Sequence, residues 1–152
     1  NFAIFLGRTG QLDESQSLLR RTLEIRIRVL PNNHGNTLRS RNNLADLLAA
    51  RGKFEEAEPM FRDLIARADE ALEPKHGDIG WIRRNYGNCL RRMGRYDEAE
   101  PLLLEGYDRL KQALGESNNW TIGAAKMLVE LYEARQQPEE VAKWKTHAAA
   151  VP

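Results

Sequence analysis

Cys89 is the one cysteine in 152 residues, so no internal disulfide can form. No Cys/His cluster has the spacing of a structural metal site, and no metal or cofactor is expected. Cysteine this sparse fits a reducing compartment, and a cytoplasmic location is the expectation. Charge of one sign is also lacking: 23 Lys plus Arg stand against 22 Asp plus Glu, a net of +1. Without a global field, neither an acidic solvating tail nor a nucleic-acid binder is indicated. No apolar run approaches the roughly 18 residues that cross a bilayer, so no membrane partner is expected. The opening Asn1-Phe-Ala-Ile-Phe-Leu6 is too short for a secretory apolar region and lacks a basic flank. It begins without Met and inside an apolar pattern, which we read as a segment of a longer protein. Gly-x-Ser-x-Gly, His-Glu-x-x-His and phosphate-loop strings are all missing, so enzymatic activity and a small-molecule substrate are not expected. What is present is a 41% apolar share, enough to build a core.

That share is distributed with a long period. Gly10-Gln-Leu-Asp-Glu-Ser15, Gly52-Lys-Phe-Glu-Glu-Ala57 and Gly94-Arg-Tyr-Asp-Glu-Ala99 follow one another at intervals of 42 residues. A fourth, looser copy is Gln136-Gln-Pro-Glu-Glu-Val141. The same step relates His34, His76 and Asn118, and relates Asn1, Asn43 and Asn85. Self-similarity at such a period is the signature of a stacked array. It divides the chain into 1–34 (a truncated first repeat), 35–76, 77–118 and 119–152 (an atypical capping repeat), all in one array.

Each unit reads as two helices. Leu38, Arg41, Leu44, Ala45 and Leu48 recur at spacings of three and four, a helical period that Gly52 breaks. A second helix is predicted from about Phe54, with Ala57, Phe61, Leu64 and Ala68 on one face. Glu55 and Glu56 fall in its first turn, where the helix dipole favours carboxylates. Leu72-Glu-Pro-Lys-His-Gly77 ends the pair. Pro59 and Pro101 sit inside the second helices, where proline removes a backbone bond, so those helices are expected to start late or to bend.

Asn42-Asn43-Leu44-Ala45-x-x-Leu48 followed by Gly52-x-Phe54-x-Glu56-Ala57-Glu58-Pro59 resembles the tetratricopeptide repeat. The likeness is strongest to the 42-residue variety of kinesin light chain and many bacterial multi-repeat proteins. The resemblance implies an all-α fold, a right-handed superhelical solenoid of antiparallel helix pairs. It also implies a non-catalytic scaffold that binds an extended peptide in a concave groove formed by the first helix of each pair. Mapped onto this chain, the implied peptide-binding residues are Arg39, Asn42, Asn43, Asp46, Trp81, Arg84, Asn85, Asn88, Arg92 and Lys126. Ala50, Gly123, Met127, Glu130 and Ala134 share that face.

Asn43 and Asn85 (with Asn1 before them) occupy a position where the family often uses an amide to bond a peptide backbone. The chemistry fits, because an amide is both donor and acceptor. The arginines and Lys126 outnumber the carboxylates Asp46 and Glu130 there, favouring an acidic-leaning protein or peptide partner. Trp81 offers a large contact area of the kind that becomes a hot spot. The bland reading stays beside the functional one: asparagines facing water or neighbouring helices, and ordinary solvated arginines. Two alternatives also stand, a regulatory array fused to an enzyme such as a bacterial serine/threonine kinase, and an architectural spacer that self-associates.

Overall fold

A histidine or asparagine every 42 residues starts a helix, and a left-handed residue every 42 residues stops one. His34, His76 and Asn118 each accept a hydrogen bond from the backbone amide two residues on, at 3.2, 3.2 and 2.9 Å. This satisfies one of the donors that a helix start leaves unpaired. The computed structural model describes residues 11–73 and 76–149, and all its regular structure there is helical. Seven helices run through those residues: α1 (Leu12–Val29), α2 (Gly35–Ala50), α3 (Phe54–Ala71), α4 (Gly77–Arg92), α5 (Tyr96–Leu114), α6 (Asn119–Ala134) and α7 (Pro138–Ala148). The capped helices α2, α4 and α6 are each 16 residues long.

Their ends share one hydrogen-bond pattern. After α2, the amide of Lys53 bonds the carbonyl of Leu48 and the amide of Gly52 bonds that of Ala49. Arg95 with Leu90 and Gly94 with Arg91 repeat this after α4. Gln137 with Tyr132 and Gln136 with Glu133 repeat it after α6. Such a closure places one residue in the left-handed region, which glycine enters without penalty. Gly52 and Gly94 have φ of 75° and 76°, and Gln136 reaches 56° without being glycine. The fourth turn therefore keeps the shape although its sequence departs from the pattern. Gly10 and Asn1 lie outside the described residues.

The chain divides into two compact units, 1–72 and 73–152. In the first, α1 packs on α2 and α2 on α3. Its interior is Leu19 from α1, Leu38, Leu44, Ala45 and Leu48 from α2, and Ala57, Phe61, Leu64 and Ala68 from α3, all buried. In the second, α4 packs on α5, α5 on α6, and α6 on α7. Trp144 closes that unit: its ring meets Tyr107 edge-on at 4.9 Å, tying α7 to α5.

Glycine makes the α4–α5 contact unusually close. A Cβ on Gly106 would stand 2.8 Å from the backbone nitrogen of Arg84, and one on Gly87 would stand 2.8 Å from Cγ of Leu103. A Cβ on Gly80 would be 3.0 Å from the carbonyl oxygen of Gly106. The small residue at Gly87 follows from the repeat pattern, whereas the facing pair Gly80 and Gly106 does not. In the first unit those two positions hold Leu38 and Leu64, both with no exposed surface.

For the prolines, the expected late helix start is overturned. Helices α3 and α5 start at Phe54 and Tyr96, ahead of Pro59 and Pro101, and run through them as continuous helix. A late start is thus excluded. Both prolines are exposed, as are Glu55 and Asp97, whose carbonyls lose their amide donors.

Candidate functional site

Helices α4 and α6 of the second unit present a joint surface. Its centre is an indole pair: Trp81 near the start of α4 and Trp120 near the start of α6, centroids 5.1 Å apart with planes at 63°. Such an edge-on arrangement is the favoured one for aromatic quadrupoles. The guanidinium of Arg84, one turn after Trp81, lies over the Trp120 ring at 5.1 Å. Gly123 makes room for it, since a Cβ there would stand 3.1 Å from Nη1 of Arg84. Asn85 fixes the arginine from the other side: Arg84 donates from Nε and Nη2 to Asn85 Oδ1 at 3.1 and 2.8 Å.

About two turns after Arg84, Arg91 spans the two helices. It donates to Asn88 Oδ1 from Nε and Nη2 at 3.2 and 2.9 Å and pairs with Glu130 of α6 at 2.7 Å. The surface therefore runs from an aromatic end to an end where the Glu130 charge is already met. Trp120 is 44% exposed, the most accessible large aromatic ring on the face. Lys126 is exposed on α6 and pairs with no group among the described residues.

The residues named from sequence separate into three groups. Trp81, Arg84, Asn85 and Asn88 come together on α4, with Lys126 nearby on α6 and Arg92 exposed at the end of α4. Arg84 and Asn85 are mostly enclosed, at 8% and 1% exposure, so Asn85 acts from beneath the surface, holding Arg84. In the first unit, Arg39 is exposed on α2, while Asn43 and Asp46 are half-buried. Asn42 has no exposed surface, and neither its oxygen nor its nitrogen has a hydrogen-bond partner. It therefore lies under the α2 face and not on it. Glu130, counted above as a groove carboxylate, is neutralised by Arg91.

Trp120 is the residue that reading the repeats missed. It stands 39 residues after Trp81, outside the 42-residue register, whose equivalent of Trp81 is Gly123. A signal did exist: residues 120 and 123 are one turn apart on a helix, so a tryptophan there shares a face with the mapped position.

Among the described residues, no group of three or more His, Cys, Asp or Glu is placed to hold a metal ion. Cys89 is a buried thiol at 1% exposure. No helix of the described residues is long and apolar enough to cross a membrane.

The fold and this surface define a class: tandem helical hairpins capped, closed and packed on a 42-residue period. The chain belongs to the tetratricopeptide repeat family, whose sequence model matches residues 1–70 and 78–151. Repeats of this family generally serve as protein–protein interaction scaffolds and are generally non-catalytic. Among solved structures, the chain is similar to the nearly identical TPR-like repeats assigned to a kinesin light chain of Podosopora anserina. That match has 21% identity and a TM-score of 0.81, and covers 97% of this chain and 70% of that one. A single-substitution variant of those repeats aligns with a TM-score of 0.80, 21% identity, and coverage of 97% and 69%. BtubC (BKLC) from P. vanneervenii aligns with a TM-score of 0.70 and 20% identity, over 90% of this chain and 55% of that one. At these identities the likeness is one of fold. No curated protein matches.

Proposed function

We propose that the chain is a protein-interaction scaffold whose α4–α6 face binds an extended, acidic-leaning peptide. The observation that carries this is the Trp81–Trp120 pair with Arg84 lodged against it. Two rigid indoles, one of them 44% exposed, offer contact area at little cost in side-chain entropy. On the same helix as Trp120, the basic side chain of Lys126 faces solvent, whereas Glu130 is bound by Arg91. A peptide carboxylate is favoured on such a surface by charge. Asn85 has a positioning role, because its oxygen holds the Arg84 guanidinium over the ring. By itself, the α2 face of the first unit, with exposed Arg39 and half-buried Asn43 and Asp46, is a separate proposed contact surface.

An array of acidic and neutral peptides tests the reading. Trp120→Ala should weaken the captured acidic peptides at least ~10-fold, as loss of a roughly 2 kcal/mol anchor does. Asn85→Ala should weaken them less, and raising salt should weaken the wild type. If Trp81→Ala and Trp120→Ala, both folded by circular dichroism, keep every captured peptide, the proposal is wrong. The same holds if Asn43→Ala plus Asn85→Ala and both tryptophan variants leave binding untouched.

A further inference from the structure

The repeat places one kind of groove in each unit, on the side where the end of a capped helix meets the next helix. In the first unit it is small, about 300 Å³, and lies beside Asp13, Gln16, Arg20 and Arg51. In the second it is about 740 Å³, bounded by Glu100 and Leu104 of α5, Tyr132 of α6, and Pro138, Glu139 and Glu140 of α7. The two are equivalent at a separation of 84 residues, so each position can be compared directly.

One wall is the same in both. Arg51 holds Asp13 at 2.6 Å and Gln16 at 2.8 Å. Arg135 in turn holds Asp97 at 2.6 Å and pairs with Glu100. The other wall differs. Arg20 of α1 reaches across the first groove to Glu56 of α3 at 2.8 Å. In the second groove Leu104 replaces that arginine, and Glu140, the counterpart of Glu56, turns to Lys143 within its own helix at 3.1 Å. Beside it, Glu139 is exposed and makes no ion pair among the described residues. Helix dipole alone accounts for carboxylates at the start of α7. It does not account for an open groove in front of them, in which Leu104 and Pro138 are the apolar lining and the arginine of the first unit is missing.

We infer that this groove receives an arginine-bearing segment of a partner protein. The arginine takes the place that Arg20 fills in the first unit. Its aliphatic stem lies on Leu104 and Pro138, and its guanidinium meets Glu139 and Glu140. The molecule thus contains its own template for the complex. The groove is separate from the α4–α6 face and prefers the opposite charge, so one chain can engage two dissimilar partners.

The test uses the capped hexapeptide Leu-Leu-Arg-Arg-Thr-Leu, which copies residues 18–23, titrated into the labelled full chain and followed by NMR. The expected result is saturable shifts at Leu104, Glu139 and Glu140. Glu139→Gln with Glu140→Gln should weaken binding at least ~10-fold, equivalent to one charge-assisted contact. Leu104→Arg should abolish it by rebuilding the internal bridge. Trp81→Ala should leave it unchanged, which separates this site from the peptide face proposed above. Absence of shifts at millimolar peptide, shifts that map elsewhere, or equal binding by both groove variants would overturn the inference.

Discussion

Gly80 and Gly106 show what a single side chain decides. With no Cβ on either, the α4 and α5 backbones meet; with Leu38 and Leu64 at the same positions, side chains fill the space between α2 and α3. Adding a methyl group at Gly106 would press it within 2.8 Å of the Arg84 backbone, which has no flexible end to move aside. Gly106→Ala should therefore destabilise the chain by roughly 1–3 kcal/mol despite alanine's better helix propensity. Urea denaturation would reveal it; an unchanged midpoint would mean that the helices slide apart without penalty. The effect should extend to function, because Arg84 sits on the strained segment and its guanidinium completes the Trp120 contact.

Helices here are bounded by local chemistry. His76 caps α4 through Nδ1, and Asn118 performs the same task for α6 with an amide oxygen. His76→Asn should preserve stability, whereas His76→Ala should lose about 1 kcal/mol by removing the acceptor. Thermal unfolding of the two variants side by side separates capping from any other role of the ring. At the opposite end of the hairpin, Gln136 holds φ of 56°, a conformation that disfavours a side chain by roughly 1–2 kcal/mol. Gln136→Gly should raise the melting temperature, the reverse of the usual outcome when glycine is introduced inside a helix. A fall would show that the Gln136 side chain has a compensating contact.

For the molecule as a whole, ionisable groups set the range of pH over which it is stable. Asp63 sits below its usual 3.8, chiefly because Arg67 donates a hydrogen bond to it, with Arg41 adding attraction. Its folded-state value being depressed, its contribution is present above the unfolded value and fades as pH falls through the lower native one. Tyr132 moves the other way, above its usual 10.0, because burial and the bond to Glu100 disfavour the phenolate. Above pH 10 the unfolded chain releases that proton while the native chain keeps it, so stability should fall as pH rises. Tyr107, raised first by burial, adds to this alkaline flank. Denaturant midpoints measured across pH should form a plateau with both shoulders. Tyr132→Phe should flatten the alkaline shoulder and Arg67→Met the acidic one; shoulders unmoved by either substitution would assign the pH dependence to other groups.

How much of this was legible in the chain depends on how far each interaction reaches. The 42-residue step of His34, His76 and Asn118, the helix stops at Gly52 and Gly94, and the hairpin period were readable because they are local patterns in the chain, whereas the capping bonds of those three residues came from the structure. The apolar faces that became the interior were readable for the same reason. The pairing of Trp81 with Trp120, the facing of Gly80 with Gly106, the burial of Asn42 and Asn85, and the opening of the groove at Leu104 were not. Each of these depends on how one helix is rotated and how closely it lies against another. A repeat register aligns equivalent positions, but it is silent about residues such as Trp120 that break it. The sequence by itself determined a stack of helical hairpins and the face each helix buries. Only the tertiary structure decided which side chains from separate helices meet, because that is set by interhelix distance, and here by two glycines.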